Sequence, residues 1–487
     1  MDLDAYRAEA ETFVTAISRE HYRHFAGFEP ELRIEPIYDA HPGLFSRAAV
    51  DGLREAGVRS LLEFAVEGLI ERATKAEAAQ LARTEAALDI EVDGEPLPFR
   101  QAPVVQANEP DPDRRAAIGA ARDEATEREL QPMLRATIER SHALVHELGW
   151  PSMTAMCAET SGIDLESLAR AGAALLDATE ELYEPVVEPQ LREELGFGFE
   201  RLRRSDLPAF FRAPSLDERF PSERLMPSFA ATLAGMEIDA NGRVVVDAEA
   251  RATKSPRAFC APVRVPDEVY LVIAPHGGRD DYEALLHEAG HAQHYGHVDP
   301  ALAFEHRYLG DNSITEAFAF LFQRLAAEPE WLRRRLGVDD PEPTVAHARA
   351  AKLVFLRRYA AKLGYELELH RARVPLGELR ADYARRLSAA VHVDWPAATW
   401  LSDVDPFFYA ARYLRAWALE ARMARALTDR FGAAWFDEPA AGVLLRRLWS
   451  SGQRAELEEL LADVGAAGTT SAAHQLAPLL EELGAAA

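Results

Sequence analysis

Lysine is scarce in this chain of 487 residues. Only Lys75, Lys254, Lys352 and Lys362 occur, and arginine supplies the rest of the basic charge. That scarcity removes most lysine-based chemistry. Basic charge is itself in short supply, with 54 Lys+Arg against 80 Asp+Glu and a formal net charge of −26. A surface that tracks phosphates needs a basic footprint, so neither nucleic acid nor an anionic membrane is an expected partner. Cys157 and Cys260 are too few for a disulfide framework or a Cys-rich zinc site, and they suit a reducing compartment. No apolar run approaches the length of a membrane span; VYLVIAP at 269–275 is typical of the longest. The first twenty residues are acidic and amphipathic, without the basic and apolar regions of a secretory leader. The expected location is the cytoplasm. Missing too are a G-x-S-x-G elbow, a Walker A loop and a G-x-G-x-x-G fingerprint, which removes the commonest serine-hydrolase and nucleotide-binding readings.

What is present is mostly helical periodicity. One predicted helix ends at Gly27, a second spans 59–88, and a third runs from about Asp113 to the stop signal Gly149-Trp150-Pro151. A fourth, 164–190, is expected to kink or end near Pro185 and Pro189. Asp93-Gly94 predicts a short hairpin, and Asn241-Gly242 between MEID and RVVVD predicts another. FCAPVRV and VYLVIAP read as strands, and from 311 onward the helical pattern returns. The expected outline is a mainly α protein with a small β-sheet near the middle. Its texture changes near residue 205, which gives an N-terminal helical region, 1–205, and a region 206–487 that carries the chemistry.

That chemistry is concentrated at His287-Glu288-Ala289-Gly290-His291. Histidines at i and i+4 share one helix face, so their imidazoles can converge on one ion, and the intervening Glu can act on a metal-activated water. Asp280 and Asp281 are candidate N-caps, and Leu285, Leu286, Ala289 and Ala292 form an apolar face opposite the histidines. A surface helix with incidental histidines is the plain alternative, but four histidines within eleven residues are hard to explain by packing. A catalytic zinc needs a third protein ligand. His297 lies where a metzincin would place one, but His294 stands where that pattern needs glycine and no Met-turn follows. Glu316, on the next apolar helical run, would complete a His₂Glu set; its competing role is a capping box with Ser313. Asp299, Glu305 and Asp311 are weaker candidates.

With these residues in view, the sequence resembles the thimet oligopeptidase and oligoendopeptidase F family of zinc metallopeptidases. The resemblance rests on HEAGHAQH at 287–294, on Glu316 twenty-five residues past His291, on KSPRAFCAPVRVPDEVYLVIAP at 254–275, and on the Tyr-rich FFYAARYLRAW at 407–417. It covers about residues 250–430. It implies a two-lobed helical metallopeptidase fold with a small sheet beside the zinc helix and a central channel. It also implies one Zn²⁺ per chain on His287, His291 and Glu316, Glu288 as the base, and Tyr409 and Tyr413 as candidates to stabilise the oxyanion. His294 is read as a wall residue or a contact rather than a ligand, and Arg412 and Arg415 as binders of a peptide carboxylate or as a solvated face.

The chain departs from the family at three places. WLSDVDP at 400–406 stands where a histidine usually precedes the Tyr-rich motif, Ala411 where a further tyrosine is usual, and Gln323 where thimet-type members carry an acidic group. The expected activity is zinc-dependent endopeptidase cleavage of short peptides through a zinc-bound water activated by Glu288. The alternatives are a non-catalytic relative that binds peptide or protein, and a zinc enzyme hydrolysing non-peptide amides.

Overall fold

The computed structural model describes residues 1–454, 457–463 and 476–484. It is mainly helical, with a two-stranded and a three-stranded sheet among the described residues. Helix α1 (Leu3–Phe25) starts where the Asp2 carboxylate accepts the Asp4 and Ala5 N–H groups, and it stops before Gly27, whose φ of +85° no other residue adopts as easily. The expected second helix forms over Arg59–Ala87. Strands β1 (Asp89–Val92) and β2 (Glu95–Pro98) pair antiparallel across Asp93-Gly94, both left-handed as a tight hairpin turn requires. The third stretch forms as helices Pro112–Ala125 and Gln131–Glu147 joined by a π-helical turn at Thr126–Leu130.

Two expectations are corrected. The break in the fourth helical stretch falls at Thr179, between α2 (Leu165–Ala178) and α3 (Glu180–Leu195), while Pro185 and Pro189 sit inside α3. Arg357 accounts for the position: its guanidinium donates to the Leu176 carbonyl oxygen at 2.9 Å and to Thr179 Oγ1 at 2.8 Å. It thus takes up an acceptor that the ending helix frees. At Asn241-Gly242 the turn forms, with both residues left-handed, but no hairpin follows. Residues 236–239 are not a strand, and β3 (Val244–Asp247) pairs elsewhere.

In the three-stranded sheet, β5 (Glu268–Val272) is central. It runs parallel to β3 and antiparallel to β4 (Phe259–Arg264). Then follow α4 (Arg279–Gly296), α5 (Asn312–Gln323), α6 (Glu342–Arg371) and α7 (Tyr409–Phe431). The chain divides into two compact units, each assembled from three segments. The first comprises Met1–Ala65, Leu216–Val345 and Arg415–Ser471, and the second Val66–Ser215, Ala346–Leu414 and Ala472–Ala487.

The first unit's core joins the sheet to α4 and α5. Leu271 and Ile273 meet Leu285, Leu286, Ala289 and Ala292 from α4, with Ile314, Phe318, Leu321 and Phe322 from α5 and Trp331 and Trp449 beyond. Burying each of the large side chains contributes about 1.5–3 kcal/mol, so this packing holds both helices against the sheet. The second unit has an apolar cluster beneath the β1–β2 hairpin, formed by Ile90, Val92, Phe99, Ile118 and Leu130. No described helix is long and apolar enough to cross a membrane.

Candidate metal centre

Helix α4 opens at Gly278, not at an aspartate. Asp217 Oδ1 accepts the Arg279 N–H at 3.1 Å, and Asp281 turns back to accept the Gly277 N–H at 2.8 Å. Asp280 and Asp281 therefore lie in the first turn, where their charge complements the helix dipole. With the apolar face of α4 buried, His287 and His291 project from the other side, one turn apart, with 19% and 14% of their side chains exposed.

Close approach of α4 and α5 occurs at Gly290. A Cβ there would stand 2.4 Å from the Phe318 carbonyl oxygen and 2.5 Å from Ala319 Cα. The glycine inside the His-Glu-x-x-His motif is thus the contact that lets α5 reach the histidines. Glu316, buried in the second turn of α5, presents Oε2 at 3.5 Å from His287 Nε2 and 3.7 Å from His291 Nε2. Ligand atoms of all three residues lie within 4.8 Å of one another. These separations are long for hydrogen bonds, whereas two ligands at tetrahedral zinc distances stand roughly 3.4 Å apart.

The donor set fits zinc in other ways. Both imidazoles turn Nδ1 away from Glu316: His287 Nδ1–H donates to Gln323 Oε1, and His291 Nδ1 meets Thr315 Oγ1, each at 2.9 Å. With Nδ1 carrying the proton, Nε2 offers its lone pair toward the carboxylate. Burial lowers the His287 pKa to about 4 and that of His291 well below its ordinary value, so both rings are neutral near pH 7. Phe320 packs edge-on against His287 and is itself stacked on Trp417.

Glu288 lies between the histidines and points to strand β4, where the Cys260 backbone N–H donates to its Oε2 at 2.8 Å. Burial raises its pKa to about 7. The N–H bond opposes that rise, and the Glu316 charge adds to it. Cys260, burdened by burial and by Glu288, holds its own proton well above the usual thiol range.

The competing ligands have other work. His297 sets its ring nitrogens 2.8 Å from the Gln293 carbonyl oxygen and 3.2 Å from that of Asp239, so the ring is turned away from Glu316. Glu305 pairs with Arg7, and Asp299 accepts the Ala301 N–H. Asp311 caps α5 through the Ser313 N–H and pairs with Arg415 at 2.7 Å. Ser313 is therefore inside the helix, and the capping-box role for Glu316 does not form. His294 is fully buried, with Nε2 3.3 Å from the Gly452 carbonyl oxygen and its ring against Tyr295 and Phe318. His276 is in the loop before α4.

Tyr409 and Tyr413 belong to the second unit, at the start of α7. Both are half-buried and meet edge to face with centroids 5.0 Å apart; Tyr413 also packs on Tyr359, and the buried Arg412 lies over Tyr409. The acidic residues of WLSDVDP turn inward within this unit. Asp405 pairs with Lys362 at 2.8 Å, Asp403 pairs with Arg358, and the Asp405 N–H donates to Glu366 at 2.8 Å. Directly after them, Phe407 and Phe408 both hold left-handed backbone angles, φ +49° and +58°. Such conformations cost about 1–3 kcal/mol each and persist only where neighbours enforce them.

Thr315 and the Cys260 N–H escaped the sequence reading of the site, and Gln323 entered it only as a departure from the family pattern. Thr315 and Gln323 carried a signal in their spacing from Glu316, one residue before and seven after, on neighbouring faces of one helix. The Cys260 N–H carried none, because a backbone donor has no sequence signature.

No family model and no curated protein matches the sequence. Among solved structures, a crystal structure from Bacillus anthracis strain Ames is similar over 98% of this chain and 90% of that one. Its TM-score is 0.67 and its sequence identity 14%. That protein is described as a candidate oligoendopeptidase F. The two chains share a fold.

Proposed function

We propose that this protein is a zinc-dependent endopeptidase that hydrolyses short peptides, with one zinc ion per chain on His287, His291 and Glu316. The observation that carries the reading is the convergence of two Nε2 lone pairs and one carboxylate oxygen, each imidazole anchored from behind. A fold shared with a candidate oligoendopeptidase F supports peptides as the substrate class. Zinc bound there would supply a Lewis acid for the scissile carbonyl and lower the pKa of the attacking water.

The chain's own residues do the remaining work. Gln323 and Thr315 hold the imidazoles in the tautomer that offers Nε2. Glu288, steadied by the Cys260 N–H, takes a proton from the attacking water and delivers it to the departing amine. Burial favours its protonated form, which suits a carboxyl that must hold the proton between the two halves of that transfer. Tyr409 and Tyr413, carried over from the resemblance, are the proposed donors to the developing oxyanion. Both cysteines are free thiols, in keeping with the cytoplasm as the proposed compartment.

The test is Glu288→Gln, assayed on a quenched-fluorescence peptide library beside metal analysis of the same samples. Cleavage is expected to fall about 10²–10⁴-fold with metal content unchanged. Peptide cleavage at the wild-type rate would overturn the role of Glu288. A wild type inert to peptides but active on N-acyl amino acids would make the protein a non-peptide amidase. One that binds peptides equally well in both forms and cleaves nothing would make it a binding relative.

A further inference from the structure

Both imidazoles of the proposed metal pair are anchored by uncharged acceptors, and both acceptors come from the helix that carries Glu316. Thr315 immediately precedes Glu316, and Gln323 follows by seven residues, close to two full turns. Helix α5 therefore presents a carboxylate to the metal position and one acceptor behind each histidine. A carboxylate behind an imidazole pulls on its N–H, makes the ring a stronger ligand and tightens metal binding. An amide oxygen fixes the same tautomer and ring orientation without adding charge. With zinc bound, the charges of the ion and Glu316 sum to +1; a glutamate at 323 would bring that to zero.

We propose that Gln323 is a positioning residue that sets the metal affinity of this centre: its Oε1, 2.9 Å from His287 Nδ1, orients the ring, and its neutrality keeps zinc more loosely held and more electrophilic than a carboxylate there would. Thr315 orients His291 in the same way, at 2.9 Å, and also shares a hydrogen bond with the Tyr295 side chain. The inference rests on the zinc reading above.

The experiment is zinc affinity of the full chain, measured by competition with a chromophoric chelator. The samples are wild type, Gln323→Glu, Gln323→Met, Thr315→Ser and Thr315→Val. Gln323→Met, which keeps the length but loses the acceptor, is expected to weaken binding about 10–100-fold. Gln323→Glu is expected to bind about tenfold more tightly than wild type. Thr315→Ser should keep the affinity that Thr315→Val loses. A gain in affinity cannot come from a damaged fold, so the Glu variant decides the matter even if the Met variant unfolds. Wild-type affinity in both Gln323 variants would overturn the role of Gln323 and leave the zinc reading standing. A wild type that takes up no zinc would overturn the zinc reading itself, and this proposal with it.

Discussion

His287 and His291 were visible in the sequence because their spacing matches one helical turn, and Glu316 because it is the one carboxylate on the next, largely apolar helical run. What decides their chemistry was less visible. Thr315 and Gln323, on α5, stand behind the two histidines, each 2.9 Å from an Nδ1. His297, already disfavoured by His294 where the metzincin pattern needs glycine, has its ring nitrogens set against the carbonyl oxygens of 239 and 293, away from Glu316. The role proposed for Tyr409 and Tyr413 comes from the family resemblance, and its test is kinetic. Replacing the true oxyanion donor, Tyr409→Phe or Tyr413→Phe, should lower kcat about 10²–10³-fold with little change in KM. If each phenylalanine variant and the pair cleave peptides at the wild-type kcat, both residues are core aromatics.

Among elements, the pairing of α4 with α5 depends on the missing side chain at Gly290. Gly290→Ala puts a methyl against the backbone of Phe318 and Ala319, which cannot yield as a flexible side chain can. The helices must part, at a cost of about 1–3 kcal/mol, and Glu316 moves from the histidines with them. The expected result is a lower midpoint of thermal unfolding together with weaker zinc binding; an unchanged zinc affinity would show that the approach of the helices does not set the site.

In the segment before α7 the carboxylates of WLSDVDP are paired inside the second unit with Lys362 and Arg358, cations contributed by α6. Glu366, one turn beyond Lys362, is pushed by burial to a pKa of about 8; Lys362 opposes the rise and Asp405 adds to it. Its folded value is thus above its unfolded value. The stability it contributes is fully present below about pH 4.5, falls as pH rises toward 8, and is level beyond. Glu366→Gln stays neutral and should remove that part of the slope, at most about 1.4 kcal/mol per pH unit, in denaturant unfolding followed from pH 5 to 8.5. Parallel slopes in the two proteins would contradict this reading.

The whole molecule shares its fold with a chain only 14% identical, across nearly its full length. Such economy is intelligible, since a helical fold needs apolar faces at the right period rather than particular residues, and many sequences supply them. Helical character, the hairpin at Asp93-Gly94 and strands β4 and β5 were therefore legible from periodicity and turn residues. The helix break at Thr179 and the parallel partner of β3 were not, because each depends on residues distant in sequence: Arg357 for the first and strand β5 for the second. The same is true of the units, each gathered from three separated segments.

The measurement that tests the central claim most directly is metal content of the purified protein and of Glu316→Ala, after both are stripped and re-exposed to zinc. One zinc per chain in the wild type, lost in the variant together with peptide cleavage, is the predicted result. Full zinc occupancy in Glu316→Ala would contradict it and move the third ligand elsewhere; a wild type that binds no zinc would remove the centre altogether.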